Sequence, residues 1–317
     1  MSLISRNAEV TTTLQQSEWQ RLAAEHRRRA ERWTVPARQR HTHGVPHPIE
    51  DFLFTYYSFT LGKLETWHPP FGCSLEASDK MAPQFERAPY RRDGQQIFAD
   101  PSALSEKAVA RLVWIRELLV QTQNRTPNFS CHGIHEWAMV YRGHEIRHEA
   151  STPLRLRQSE IDAIVESRPI ACSHFDAFRH FSPDARAFNR FQPSLDARPH
   201  LEQPGCVHAN MDLYKWASKC MPWIGSELHI ECFELAIRLR ELDMRASPYD
   251  LTAYGHRPIA IETAEGRREY EALQKQLASE ARPLREKLIG HLDPLLSIVQ
   301  RSPGSCHAAA GALRPGA

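Results

Sequence analysis

A chain of 317 residues, 41% apolar and 25% charged, holds enough material for one large folded unit or two ordinary ones. Its formal charge of +2 lacks the surplus of a dedicated nucleic-acid binder, and no apolar run reaches the roughly 20 residues that span a bilayer. The seven cysteines are scattered and never in C-x-x-C spacing, and no basic-then-apolar leader opens the chain, so a cytoplasmic protein with reduced thiols is expected.

Residues 15–33, QQSEWQRLAAEHRRRAERW, predict a charged helix with Trp19, Leu22, Ala23 and Ala30 as its thin apolar side. The Pro-, Arg- and His-rich TVPARQRHTHGVPHP then predicts a loop, so residues 1–46 stand as a helix and loop ahead of a main body at 47–301. Pro48 suits a first helical turn, and Ile49, Phe52, Leu53, Tyr56 and Tyr57 repeat at helical spacing up to a stop at Gly62. From Trp67 to Pro101 the turn signals WHPPFG, APYRRDG and ADPS predict irregular chain.

A helix over 105–121 turns Val109, Leu112, Val113, Leu118 and Leu119 inward, and a shorter one fits 159–167. Asn210 and Ser226 read as N-caps of two more helices, the second keeping Leu228, Cys232, Leu235, Ala236, Leu239 and Leu242 in period to about Met244. RPIACSHF (168–175) and RPIAIE (257–262) are the strand candidates. Helical sequence resumes at Thr263, is interrupted at Pro283 and ends near Val299, and 302–317 predict a disordered tail. The expected fold is mostly α, an α+β arrangement with a small β component, in a single globular helical domain.

Cys131 to Glu149 holds four histidines, including a literal H-E-x-x-H from His144 to His148. A zincin needs that motif on a helix with an apolar back, whereas here Gly143 precedes it, Thr152-Pro153 follows, and no G-x-x-H continues it. The segment therefore reads as extended scaffold. His135 and Glu136 differ, because they directly precede the apolar run Trp137–Val140 and so sit at the edge of buried structure. The plain alternative is a core-edge imidazole and a first-turn glutamate favoured by the helix dipole.

ACSHFDAFRHF places His174, Asp176 and Arg179 after a strand-like run, interleaved with Phe175, Phe178 and Phe181. Rigid backbone at a strand end presents such groups into a crevice, and H-x-D is a chelating pair; otherwise Asp176 caps a helix near Ala177 and Arg179 pairs with a neighbouring acid. QPGCVHANMDLYKWASK collects Gln203, His208, Asn210, Asp212 and Lys215 at a loop-to-helix junction suited to anions, with capping and packing as the alternative. Glu241, Asp243 and Asp250 close a helix and offer a weaker signal.

Five phrases, HPIEDFLFTYYSF, GIHEWAMVYR, CSHFDAFRHFSPDARAFN, QPGCVHANMDLYKWA and ELDMRASPYDL, together resemble a bacterial family described as 3-methyladenine DNA glycosylase, over residues 47–275. The resemblance implies hydrolysis of an N-glycosidic bond, with a base flipped into an aromatic-lined pocket and a carboxylate acting at the sugar. The helix-hairpin-helix glycosylases carry Pro-Gly-x-Gly; the nearest match here, Pro204-Gly205-Cys206-Val207, lacks the second glycine.

Three functions follow as expectations. An N-glycosylase-type hydrolase on DNA or a nucleobase-like molecule would use Glu136, Asp176 or Asp212, with Arg179, Asn210 and Lys215 binding substrate. A zinc or non-haem iron enzyme acting on a small molecule would hold its ion with His135, His174 and His208, helped by Asp176. A non-enzymatic protein would bind a small anion in the same polar cluster. All three require the separate segments to meet in one cavity, with Trp137, Phe175 and Phe178 among its walls.

Overall fold

The computed structural model describes residues 11–143 and 152–301, so the His144–His148 motif and the tail at 302–317 lie outside the described residues. At the centre of the core lies the helix Val207–Cys220, whose apolar, Asn210 and Asp212 positions are alike covered. It packs on Ser226–Ala246, where the predicted period holds and all six predicted positions are buried. Around this pair lie Glu106–Gln123 and Ala264–Arg301, which pack on each other. In chain order the helices are α1 (Gln16–His43), α2 (Phe52–Tyr56), α3 (Leu61–Glu65), α4 (Glu106–Gln123), α5 (Ile134–Met139), α6 (Gln158–Glu166), α7 (Phe175–Phe178), α8 (Arg198–Leu201), α9 (Val207–Cys220), α10 (Ser226–Ala246) and α11 (Ala264–Arg301). The fold is mostly α with one small sheet, in a single domain, and no helix among the described residues is long and apolar enough to cross a membrane.

Several expected boundaries move, each for a physical reason. α1 continues through Pro36 and the expected loop to a left-handed Gly44. Its inner face is partly polar, His26 and Thr34 beside Trp19, Ala30 and Ala37, so the apolar period fades while the helix persists. His26 Nε2 bonds Leu64 O at 2.8 Å, and α1 packs against α3 and α10, so this helix is seated on the main body. The helix expected from Pro48 shrinks to α2, because His47 Nδ1 accepts from the Ile49 and Glu50 amides and turns the chain there. α11 runs unbroken through Pro283 and Pro294. Each internal proline costs about 3 kcal/mol, offset by burying Leu277, Leu288, Leu292, Leu295 and Leu296 on one face.

The β structure is not where it was expected. Strands β1 (Thr12–Leu14), β2 (Cys73–Glu76), β3 (Tyr90–Asp93) and β4 (Gln96–Ala99) form a sheet of order β1-β2-β4-β3, with β1 and β2 parallel and the remaining pairs antiparallel. β2, β3 and β4 fall in the stretch read as irregular, where short strands among dense turn signals give too little alternation to detect. Of the expected strands, 168–175 forms only an isolated bridge from Ile170 to Asn189, and 257–262 joins no ladder, its Ile261 amide turning back to Ile259 O at 2.8 Å. Ile170, Ala171, Cys172, Ile259 and Ile261 are buried without a sheet.

Two imidazoles away from the polar core make stability depend on pH. Burial lowers His68 to about 4 and His229 to about 3, the latter hydrogen-bonded to Ser218 at 2.8 Å. An unfolded histidine titrates near 6.5, so between that value and the folded pKa the unfolded state binds more protons. Stability is therefore full above about pH 6.5 and declines as pH falls toward 4. The urea midpoint is expected to drop between pH 7 and pH 5, and His229→Gln to make that drop shallower; an unchanged midpoint in the parent protein would contradict this account.

Candidate metal centre

The placement of the site begins at Gly133. Its φ is 75°, and an added Cβ would stand 3.1 Å from Ala246 and 3.3 Å from the Tyr270 ring, so glycine is required there. The sharp turn carries α5 inward with His135 and Glu136 buried. α9 brings His208 in its first turn and Asp212 one turn later. α10 supplies Arg240 and Asp243, three apart on its inner face.

His135 Nε2 lies 2.9 Å from Asp243 Oδ1, and His208 Nε2 lies 3.8 Å from Asp243 Oδ2. The two imidazoles meet edge to face with centroids 4.7 Å apart. Arg240 donates to Glu136 Oε1 at 3.2 Å and approaches Asp243 Oδ2 at 3.9 Å. One donor atom from each of His135, Glu136, His208 and Asp243 lies within 4.8 Å of every other. Donors bound to one ion at about 2.0–2.2 Å stand about 3–3.5 Å apart, so this set is near the size of a coordination shell.

The hydrogen bonding singles this group out. His135 Nε2 and both carboxylate oxygens of Asp243 are buried without a hydrogen-bond partner, close to one another but misdirected for a bond. Leaving such atoms desolvated is costly, and a cation among them would satisfy all three. On the far side of the ring, Cys131 Sγ lies 3.2 Å from His135 Nδ1 and holds the ring with Nε2 toward the carboxylate. Burial alone would depress His135, but Asp243 and Cys131 together outweigh it and hold the imidazole well above its ordinary value. At His208 burial wins, lowering it to about 3 and leaving a neutral ring. Burial, then Asp243, raises the Glu136 carboxyl. Asp243 itself, against its burial, is held low mainly by His135.

A second group lies directly behind. The His174 ring stacks on His208 with centroids 5.4 Å apart, and its Nε2 is 3.4 Å from both Glu202 Oε1 and Asp212 Oδ2. Here the cation is a guanidinium. Arg198 donates to Glu202 at 2.6 Å, to Asp212 at 2.7 Å and to Asp176 at 3.1 Å. Lys215 adds 2.8 Å to Asp176, and the Tyr57 hydroxyl donates to Asp212 Oδ1 at 2.6 Å. Burial works against Asp212, yet Lys215, His174 and Arg198 hold its carboxyl well below the usual range. The two groups thus share donor types, but the second has its carboxylates hydrogen-bonded by Arg198, Lys215 and Tyr57, whereas in the first Arg240 reaches Glu136 and both Asp243 oxygens make no hydrogen bond.

His135, Glu136, His174, Asp176, His208, Asp212 and Lys215 therefore form one continuous polar core, with Arg179 at its exposed edge 3.4 Å from Asp176. Asn210 does not join it. It sits inside α9 instead of capping it, donates to Pro204 O at 2.9 Å, and accepts from Arg285. Trp137, two residues beyond His135, points away around α5, donating to Ala246 O at 2.8 Å and carrying Arg155 on its ring. Phe178 packs on Phe181, and Phe175 stays half-buried. The cavity against His135 and His208 is lined by Cys131, Cys206, Tyr270 and Gln274, with none of the three expected aromatic walls.

Asp243, Arg240, Arg198 and Glu202 belong to this core and were missed or underweighted in the sequence. Asp243 had a readable signal, since it lies four residues after Leu239 on the buried stripe of α10. Arg198 and Glu202 are four apart in a loop-rich stretch, and nothing local announces their burial. Comparison with family models, with curated proteins and with solved structures gives no match for this chain.

Proposed function

We propose that the protein is a metal-dependent enzyme acting on a small molecule, with a zinc or non-haem iron ion held by His135, His208 and Asp243 and with Glu136 beside them. Two imidazoles and one or two carboxylates are a donor set that suits either ion and leaves positions open for chemistry. The observation that carries the reading is the convergence of three buried atoms that make no hydrogen bond, His135 Nε2 and Asp243 Oδ1 and Oδ2, at the His208 ring. Such an ion polarises a bound carbonyl or lowers the pKa of a bound water. Glu136, tethered by Arg240, stands where it could ligate or take a proton.

The N-glycosylase reading implied by the sequence resemblance would rest on Asp212 or Asp176. Both carboxylates are committed to Arg198 and Lys215, which supports the metal reading over it. Elemental analysis of protein purified without an affinity tag is expected to give one zinc or iron per chain. His208→Gln should lose that ion, whereas the His144→Gln/His148→Gln double variant should keep it. A folded parent protein that stays metal-free after dialysis against Zn(II) or anaerobic Fe(II), yet binds DNA with a steep salt dependence, would favour the glycosylase instead.

A further inference from the structure

Lys63 on α3, Arg111 on α4, and Lys215 and Lys219 on α9 bring four cations within electrostatic reach of one another from three helices. Lys215 is matched, lying 2.8 Å from Asp176 and 3.4 Å from Asp212. Among the described residues, the charged ends of Lys63, Arg111 and Lys219 make no ion pair and no hydrogen bond. The two ammonium groups meet aromatic rings instead, Lys63 Nζ at 4.8 Å from the Phe59 centroid and Lys219 Nζ at 5.8 Å from that of Trp216.

Long cationic side chains ordinarily extend their heads into water, yet Lys63 and Lys219 stay half-buried. Burial, then the neighbouring Arg111 and Lys219, holds the Lys63 ammonium below its ordinary value. At Lys219 burial, then Lys215 and Arg111, acts the same way. The groups that could relieve them are engaged or neutral. Asp212, which reaches Lys219, already accepts from Arg198 and Tyr57. Cys220 beside Lys63 stays a neutral thiol, raised to about 12 by burial. The Trp216 ring carries Lys215 and Arg198 as well as Lys219, but an aromatic face has no net charge and offsets only part of their repulsion. Like charges gathered partly out of solvent without a counter-charge call for an anion.

We propose that Lys63, Arg111 and Lys219 form a binding site for a dianionic phosphate group. Three unmatched positive charges favour a dianion over a carboxylate, and the planar fork of Arg111 beside two ammonium groups suits a tetrahedral set of oxygens. Free phosphate and a small phosphate monoester present the same oxygens to it. None of the three residues belongs to the His135, His208 and Asp243 set, so the site stands or falls independently of the metal reading.

The test is calorimetric titration of the full chain with inorganic phosphate and with glycerol phosphate at equal ionic strength. Phosphate binding is expected, with acetate and chloride failing to compete. Tighter glycerol phosphate marks a monoester as the ligand and tighter inorganic phosphate the free anion; either supports the site. Lys63→Met and Lys219→Met keep the apolar stems, and each is expected to weaken phosphate by about tenfold or more. Each should also raise the melting temperature measured without phosphate, because one repelling charge is gone, whereas a lysine with a merely structural role would give the opposite sign. Acetate competing as strongly as phosphate in the parent protein overturns the proposal without recourse to any variant, as does the absence of binding by either phosphate. Undiminished affinity in a folded Lys63→Met/Lys219→Met double variant does the same. An oligonucleotide without terminal phosphates offers only diesters, and its binding more tightly than either phosphate would overturn the proposal in favour of a nucleic-acid surface.

Discussion

Arg198→Met is expected to destabilise the protein by about 3–5 kcal/mol and to lower its melting temperature by roughly 6–15 °C. Two buried carboxylates, Glu202 and Asp212, and the half-buried Asp176 converge on this one guanidinium, whose side chain is 3% exposed. Without it Lys215 remains for Asp176 and Asp212, whereas Glu202 keeps, among the described residues, no Lys or Arg ion pair and only the His174 ring at 3.4 Å. The loss comes from stranding charges already desolvated, which exceeds the net worth of any one pair. Arg198→Lys should recover little of it, because one ammonium cannot reproduce three directed bonds from a planar fork. Glu202→Gln in the Arg198→Met background should recover a measurable part by removing one stranded charge. If urea unfolding of Arg198→Met matched the parent, the guanidinium would not be the cation that holds the second group.

That network shows where sequence reading reached its limit. The long periodic segments α4, α10 and α11 were legible because their stability comes from an apolar stripe that the sequence writes out directly. The segments carrying His135, His174, His208 and Asp212 were legible too, since polar residues bordering apolar runs stand out against a core pattern. What stayed hidden is long-range pairing. Arg198 lies 14 residues from Asp212 and 22 from Asp176, on a four-residue helix with no period of its own. Tyr57 reaches Asp212 across 155 residues, and its place in a helical repeat pointed to ordinary packing. The sheet was lost for a related reason: β1 pairs with a strand about 60 residues away, and strands of three and four residues carry almost no alternation.

Asp243→Asn is expected to abolish stoichiometric metal binding, weakening it by more than about 100-fold, and to cost the metal-free protein some stability as well. The substitution is isosteric, so the 0%-exposed site on α10 keeps its packing. What it removes is the charge of the carboxylate and one anionic oxygen from the shell formed with His135 and His208. A neutral carboxamide is a poor ligand for zinc or iron, and the nearby Arg240 repels the ion once that anion is gone. In the metal-free state the change also releases the His135–Asp243 attraction, a loss partly offset because Asp243 no longer has to be ionised beside Glu136. The two states are separable by melting with and without metal. Parent protein should gain about 4 kcal/mol when the free ion exceeds its Kd by 1,000-fold, whereas Asp243→Asn should show almost no gain at the same concentration. Were the variant to keep both its ion and that gain, the cation would have to be held elsewhere. The His174, Glu202 and Asp212 group would then be the place to look, and Arg198 would have to move aside to admit it.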